Sequence, residues 1–407
     1  MTPPPTAPPG SYLDPGAGGR QLDSDGTRIS ASYIDGALTW TEHRTRQPAG
    51  PPASEPSWQG QQVSFKPKRP IKRPLARLVG THPGQLEALM FVVVMVIGSS
   101  VLGLVQYLHR PMHENTVPVG VTPNAVAVDP GTNTIYVTNN LPETVSVIDG
   151  STHMVAATVP VGHHPDGVAV DPGTHTVYVA NSDSHSVSVI DGATNTVTAT
   201  VPVGNTPFGV AVDPGTHTVY VVNYGFPSVS VIDGSTNTVI AILPVGKGPF
   251  GVAVDPDSHA VYVTSSGDHT VTVIDGLTHS VTATVPLYNT AGGVAVDPGT
   301  HTVYVANYGH PTVSVIDGST HTVIASVPVG NNPFGVAVDP DTHTAYVSNF
   351  ADSTVSVIDG STDTVTSTLP VGNNPDAVAV NPDTHTIYVT NYAEHSVSVI
   401  KAPSGIH

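Results

Sequence analysis

Between Thr116 and Ile400 apolar residues fall in short alternating runs, and the stretch Thr200 to Ala241, TVPVGNTPFGVAVDPGTHTVYVVNYGFPSVSVIDGSTNTVIA, shows the whole pattern. Val or Tyr alternates with Ala, Ser or Thr in GVAVD, TVYVVN, SVSVID and NTVIAILPVG, while Asp-Pro-Gly-Thr, Tyr-Gly-Phe-Pro, Asp-Gly-Ser-Thr and Gly-Asn-Thr-Pro separate the runs. Period-two alternation bounded by turn formers predicts short strands joined by hairpins. Lys and Glu are missing from the alternate positions, where a solvated sheet face would carry them. The pattern therefore predicts sheets covered on both faces.

The unit repeats without insertion. Asp129, Asp171, Asp213, Asp255, Asp297 and Asp339 each open an Asp-Pro pair at steps of 42 residues, and Asn381 takes the seventh place. Four strands per unit and seven units predict an all-β fold, a seven-bladed β-propeller of four-stranded blades. The two ends of the array say how it closes. The seventh unit stops at VSVIKAPSGIH without a fourth strand, and an orphan run, Thr116 to Gly120, stands before the first unit. That N-terminal strand is expected to complete the last blade and remove its free edge.

Tyr136 to Asn139 and Tyr388 to Asn391 read Tyr-Val-Thr-Asn. With this motif, period and copy number, residues Asn115 to about Ile400 resemble the YVTN-repeat β-propellers, which include propellers of the surface-layer type. The resemblance implies the fold. It carries no catalytic residues over, because that family shares no catalytic set.

Charge divides the chain. Before Glu114 there are 11 Lys or Arg against 7 Asp or Glu, and from Glu114 onward 2 against 24. Residues 1–85 hold 14 prolines, both tryptophans (Trp40, Trp58) and no sustained apolar period, which predicts a disordered Pro-rich tail. The tail ends in a basic cluster of Lys66, Lys68, Arg69, Lys72, Arg73 and Arg77. Uncharged, apolar sequence from Ala88 to Val105 follows, so residues 86–108 are expected to cross a membrane as one helix and 109–115 to link it to a propeller at 116–407. Cations on the N-terminal flank place the tail in the cytoplasm and the propeller outside, as a signal-anchored plasma-membrane protein, and argue for lipid rather than nucleic acid as their partner. Ser99 and Gly103 form a small-xxx-small pair that suits a weak helix dimer. Cysteine is absent, which removes disulfide and thiol chemistry. The tail has no Gly-rich phosphate loop and no kinase signature, which excludes phosphoryl transfer from that side.

Candidate chemistry lies where the repeats differ. The Asp-Pro-Gly carboxylates are expected to cap their own turns. His175, His217, His259, His301, His343 and His385, with Asn133 in the first copy, fall at the first hairpin tip and are expected to be solvated turn residues. The alternative for them is a ring of metal-binding imidazoles. Asn139, Asn181, Asn223, Asn307, Asn349 and Asn391 end the second strands, where Asn is expected to cap the local backbone; Ser265 replaces it in the fourth copy. Loop aromatics recur unevenly. Phe208, Phe250 and Phe334 enter first strands, and Tyr224, Phe226, Tyr308, Phe350 and Tyr392 follow second strands, whereas Asp376, Asn124 and Asp166 hold the Phe position in the seventh, first and second blades. The aromatics are the candidate ligand-binding set. His163, His164, Asp166, Asp183 and His185 gather in the second repeat and are the candidate metal donors. Ser265, Ser266, His269, Tyr288 and Gly292 break the consensus between the fourth and fifth repeats, as a ligand notch or by drift.

These features favour a non-catalytic binding or scaffold module without a cofactor, engaging an extracytoplasmic protein, peptide or cell-wall glycan. One alternative is a lyase or lactonase with a metal-assisted site at the channel mouth, for which the second-repeat donors are the support. The other is an architectural surface protein with no specific ligand.

Overall fold

The computed structural model describes residues 21–22, 28–34, 37–43 and 116–402. Two units are distinct in the chain, Met1–Glu87 and Ala88–His407. In the first, β1 (Gln21–Leu22), β2 (Arg28–Ile34) and β3 (Ala37–His43) form a three-stranded antiparallel sheet in the order β1-β2-β3. These strands lie within residues 1–85, expected from composition to be disordered, and the sequence carries a local signal for them. Asp35-Gly36 stands between two alternating runs, and Ile34 pairs with Ala37 across it, the two-residue hairpin that Asp-Gly favours. The proposed membrane helix, with Ser99 and Gly103, and the basic cluster lie outside the described residues. Among the described residues no helix is long and apolar enough to cross a membrane.

The second unit is the seven-bladed propeller. β4 (Thr116–Pro118) precedes blade one, which is β5 (Val121–Asp129), β6 (Thr134–Leu141), β7 (Thr144–Asp149) and β8 (Met154–Pro160), an antiparallel meander. Six further four-stranded sheets follow, and the last is completed by β4. Val117 pairs with Val397, Thr116 with Ser398 and Pro118 with Ser396, so the N-terminal strand takes the fourth place of blade seven. The first strands of adjacent blades run against one another round the centre, the last against the first.

Apolar burial sits between blades rather than within one. Tyr136, Val145, Val147 and Val159 of blade one pack on Val168, Val177, Val179 and Ile190 of blade two, and equivalent clusters fill the other interfaces. A single four-stranded sheet cannot bury both faces, so each blade depends on its neighbours. The expectation of two covered faces holds for the second and third strands and fails for the fourth. There Met154, Val155, Val197, Ile240, Ile242, Val281 and Ile324 are exposed, because no described residue packs outside the rim.

The first hairpin also ties blades together, which corrects the reading of its histidines as solvated tips. Asp213 uses Oδ1 to accept the Gly215 N–H of its own turn at 2.9 Å and Oδ2 to meet His259 Nδ1 of the next blade at 2.7 Å. The same inter-blade contact joins His175 to Asp129, His217 to Asp171, His301 to Asp255, His343 to Asp297 and His385 to Asp339, at 2.6 to 2.9 Å. The carboxylates are buried and the imidazoles half-exposed. Each of the six histidines has φ between 49° and 58°, the left-handed region that His and Asn tolerate better than most residues. With Nδ1 committed to a different blade's carboxylate, the imidazoles do not converge into a metal ring.

At the seam both partners change. Asn133 stands in the His place and Asn381 in the Asp place, and Asn381 Nδ2 donates to Asn133 Oδ1 at 2.8 Å. The two departures from the repeat are therefore one interaction. Asn133→His or Asn381→Asp alone should lower stability, while the double variant should recover the His–Asp contact made elsewhere. A double-mutant cycle on thermal or denaturant unfolding should give a coupling of about 1 kcal/mol or more, and strictly additive singles would disprove the contact.

Candidate functional site

One end of the channel is built from the entries to the first strands and the loops beyond the second strands. Phe208 and Phe250, from blades three and four, lie with ring centroids 4.6 Å apart and tilted by 36°. Phe250 and Phe334 meet edge-on at 5.3 Å although blade five lies between them. They can touch because blade five contributes Gly292 at that position and no side chain intervenes. The departure from consensus at Gly292 thus has a structural reason. Tyr308 packs edge-on to Phe334 at 5.8 Å, and Phe350 lies 6.3 Å from Phe334. Five of the eight candidate aromatics therefore form one cluster with geometries that favour aromatic attraction. Tyr224 and Phe226 are exposed on their loop, and Tyr392 is half-buried; no ring pair joins these three to the cluster among the described residues.

Blades seven, one and two supply the remaining arc. Asn124 Nδ2 donates to Asp166 Oδ1 at 2.8 Å, and Asp166 is buried. Asp376 is only partly covered at its surface. No hydrogen bond reaches its carboxylate among the described residues, and Ser348 Oγ donates instead to its main-chain carbonyl at 2.6 Å. Burial, with the charge of Asp166 as the lesser cause, pushes the Asp376 carboxyl up to about 8. No Lys or Arg offsets this pair, since the described propeller holds only Lys247 and Lys401, and Lys401 Nζ donates to Thr386.

The candidate metal donors of blade two do not converge on one point among the described residues. His163 Nδ1 pairs with Glu143 of blade one at 2.8 Å, while His185 Nδ1 accepts the Thr206 N–H of blade three at 3.1 Å. His164 Nδ1 lies 3.3 Å from Asp166 Oδ2, and no hydrogen bond joins Asp183 to any of them among the described residues. No group of three or more donors forms among the described residues. Glu143 raises His163 and Asp166 raises His164, in each case chiefly by hydrogen bonding. Ser182 Oγ approaches His164 at 3.0 Å, which completes a Ser, His and Asp trio. Both partners use the same Nδ1, however, and a relay needs the two ring nitrogens to face in opposite directions.

The second-strand asparagines are not local caps. Each is fully buried and donates through Nδ2 to hydroxyls of the third strand, five and seven residues on. Asn223 reaches Ser228 and Ser230, both at 3.0 Å, and the other five make the same pair of contacts. In blade four, where Ser265 replaces Asn, Ser265 Oγ and Thr270 Oγ1 are left buried without partners among the described residues. The shorter side chain cannot span the strands. The supposed notch at Ser265 is thus a fault in a structural ladder, while Tyr288 nearby is almost wholly exposed.

No family model and no curated protein matches the chain. Among solved structures it is similar to a chain of Kuenenia stuttgartiensis hydrazine synthase, at 22% identity and a TM-score of 0.65, over 73% of this chain and 99% of that one. At that identity the likeness speaks for the propeller fold alone.

Proposed function

We propose that the chain is a membrane-anchored extracytoplasmic propeller whose mouth binds a soluble or wall-borne partner without catalysis. The observation that carries this reading is the cluster of Phe208, Phe250, Phe334, Tyr308 and Phe350 held at the channel mouth against a polar arc. A symmetric scaffold needs neither. The repeat supplies its stability from inter-blade valines, tyrosines and the His–Asp contacts, so aromatics restricted to one sector serve something outside the ring. Anchoring is supported by the apolar run at 86–108 and the basic cluster before it. The metal-assisted lyase or lactonase reading remains the second reading, with weaker support, because His163 and His185 bond to groups of blades one and three. A purely architectural role leaves the aromatic sector without a purpose.

The test uses the full chain, in detergent if required, presented with a panel of peptides and wall-glycan fragments. A Phe250→Ala, Phe334→Ala, Tyr308→Ala variant should lose the ligands that the unaltered chain retains and keep a cooperative unfolding transition. Ligands retained equally by both proteins would place binding elsewhere.

A further inference from the structure

The two arcs of the mouth have complementary chemistry. One is aromatic, from Phe208, Phe250, Phe334 and Tyr308. The other holds two carboxylates, Asp166 and Asp376, flanking Asn124 in blade order. Asp166 is held by Asn124 on Oδ1 and faces His164 on Oδ2, whereas Asp376, at the same repeat position on the other side of Asn124, has no hydrogen bond on its carboxylate among the described residues. Two acidic groups on neighbouring strand entries, with no Lys or Arg near them and only the His164 imidazole against Asp166, leave the charge of Asp376 uncompensated by the fold. A bound cation would balance it.

We propose that the mouth binds a protonated organic amine borne on an apolar body. Its ammonium donates to Asp376, with Asp166 adding its negative charge, and its body lies on Phe208, Phe250 and Phe334. This rests on the reading of the mouth as a binding site and names the ligand chemistry for it. A divalent metal fits less well, because Ca²⁺ or Mg²⁺ takes six or more oxygens and the opposite wall is aromatic. An ammonium needs fewer acceptors, and the faces of aromatic rings attract it as well. An anion or a neutral sugar would leave the carboxylate pair uncompensated. The charged groups facing the ammonium are Asp376 from blade seven, Asp166 and His164 from blade two, with Asp183 acting on His164 from farther off. Raising the pH through about 8 strips the proton from Asp376, which strengthens attraction for a cation, and loss of the proton that Asp166 helps hold on His164 acts in the same sense. Binding at neutral pH must then release a proton, because the ammonium favours the ionised Asp376.

The experiment is calorimetric titration of the full chain with phenethylammonium, its neutral counterpart 2-phenylethanol, and the N,N,N-trimethyl analogue. Phenethylammonium should bind at least about tenfold more tightly than the alcohol, the size of one charge-assisted hydrogen bond. The trimethyl analogue, which has no N–H to donate, should fall between them. At pH 7 the heat should vary with the ionisation enthalpy of the buffer in the sense of proton release. Asp376→Asn removes the charge without changing the shape, so it should lose about tenfold in amine affinity together with the proton release. Phe334→Ala should weaken amine and alcohol alike. Equal affinity for amine and alcohol would overturn the proposal, as would an Asp376→Asn protein that binds the amine unchanged. If no probe binds while the peptide and glycan panel still gives ligands that depend on Phe250, Phe334 and Tyr308, the amine assignment fails and the mouth stands. If that dependence is also missing, both readings fall.

Discussion

A chain lacking Thr116–Pro118 should lose its single sharp unfolding transition and aggregate on mild heating. Those three residues are the whole of the pairing between β4 and the third strand of blade seven, Ser396–Lys401. Val119 adds one further bond, its N–H donating to His395 O at 3.0 Å. Val117 is buried in the cluster that joins blades seven and one, against Val397, Val399, Tyr388, Ile135 and Ile148. Removing the strand therefore uncovers apolar side chains and also leaves the backbone of Ser396–Lys401 as an open edge, the kind of template that recruits other chains. The damage is not confined to one blade. Every blade needs two neighbours to cover its faces, and only the closing strand fastens the last blade to the sequence before the first. Val117→Asp is the sharper form of the test, since it keeps the strand and buries an unpaired carboxylate, at a cost of about 3 kcal/mol or more. Scanning calorimetry and light scattering on the full chain read both outcomes. A truncated protein with an equally sharp and equally high transition would show that β4 does not close the ring.

That closure could be read from the sequence because the period has no insertions, so a missing fourth strand at one end and a spare one at the other identify each other by count. Strand identity and blade number followed from the same regularity. Inter-blade chemistry was harder to see. A histidine at a hairpin tip looks solvated until the next blade is placed beside it, and its partner stands 46 residues away, as in His259 and Asp213. A signal was nevertheless present, since the only copy without the histidine has Asn133 and the only copy without the aspartate has Asn381. They adjoin only in a closed ring. The asparagine ladder had a local signal as well, hydroxyl residues at five and seven positions beyond each Asn, which a capping interpretation does not need. The aromatic cluster was legible as a composition of loops but not as a contact, because the meeting of Phe250 and Phe334 depends on a glycine in the blade between them. The β1–β3 sheet was obscured by the proline content around it, although Asp35-Gly36 marked its hairpin.

Asp376→Asn should raise the stability of the chain at pH 8 and leave it almost unchanged at pH 4. The native carboxyl is pushed up to about 8 from an ordinary value of 3.8, first by burial and then by the charge of Asp166. A raised carboxylate means that the native state binds the proton more tightly than the unfolded state does. At pH values below 3.8 both states hold the proton and the group is neutral in its effect. As the pH rises above that value the unfolded chain gives up its proton while the native chain is penalised for doing so. The destabilisation therefore grows from about pH 4 to about pH 8 and is constant above. Full conversion of such a shift would be about 6 kcal/mol. Part of Asp376 remains in contact with solvent, however, and screening there reduces the expected gain from the Asn variant to about 2 kcal/mol. For a chain of this size that is a shift of a few degrees in the transition temperature. Asn keeps the shape of the side chain, and Asn124 shows that an amide is accommodated at the same position of the neighbouring blade. The measurement is denaturant or thermal unfolding of both proteins at several pH values between 4 and 8.5. A constant difference across that range would mean that Asp376 carries no raised affinity for its proton. A lower stability of the variant at pH 8 would mean that the carboxylate is already compensated within the fold, and the electrostatic argument for a cation at the mouth would fall with it.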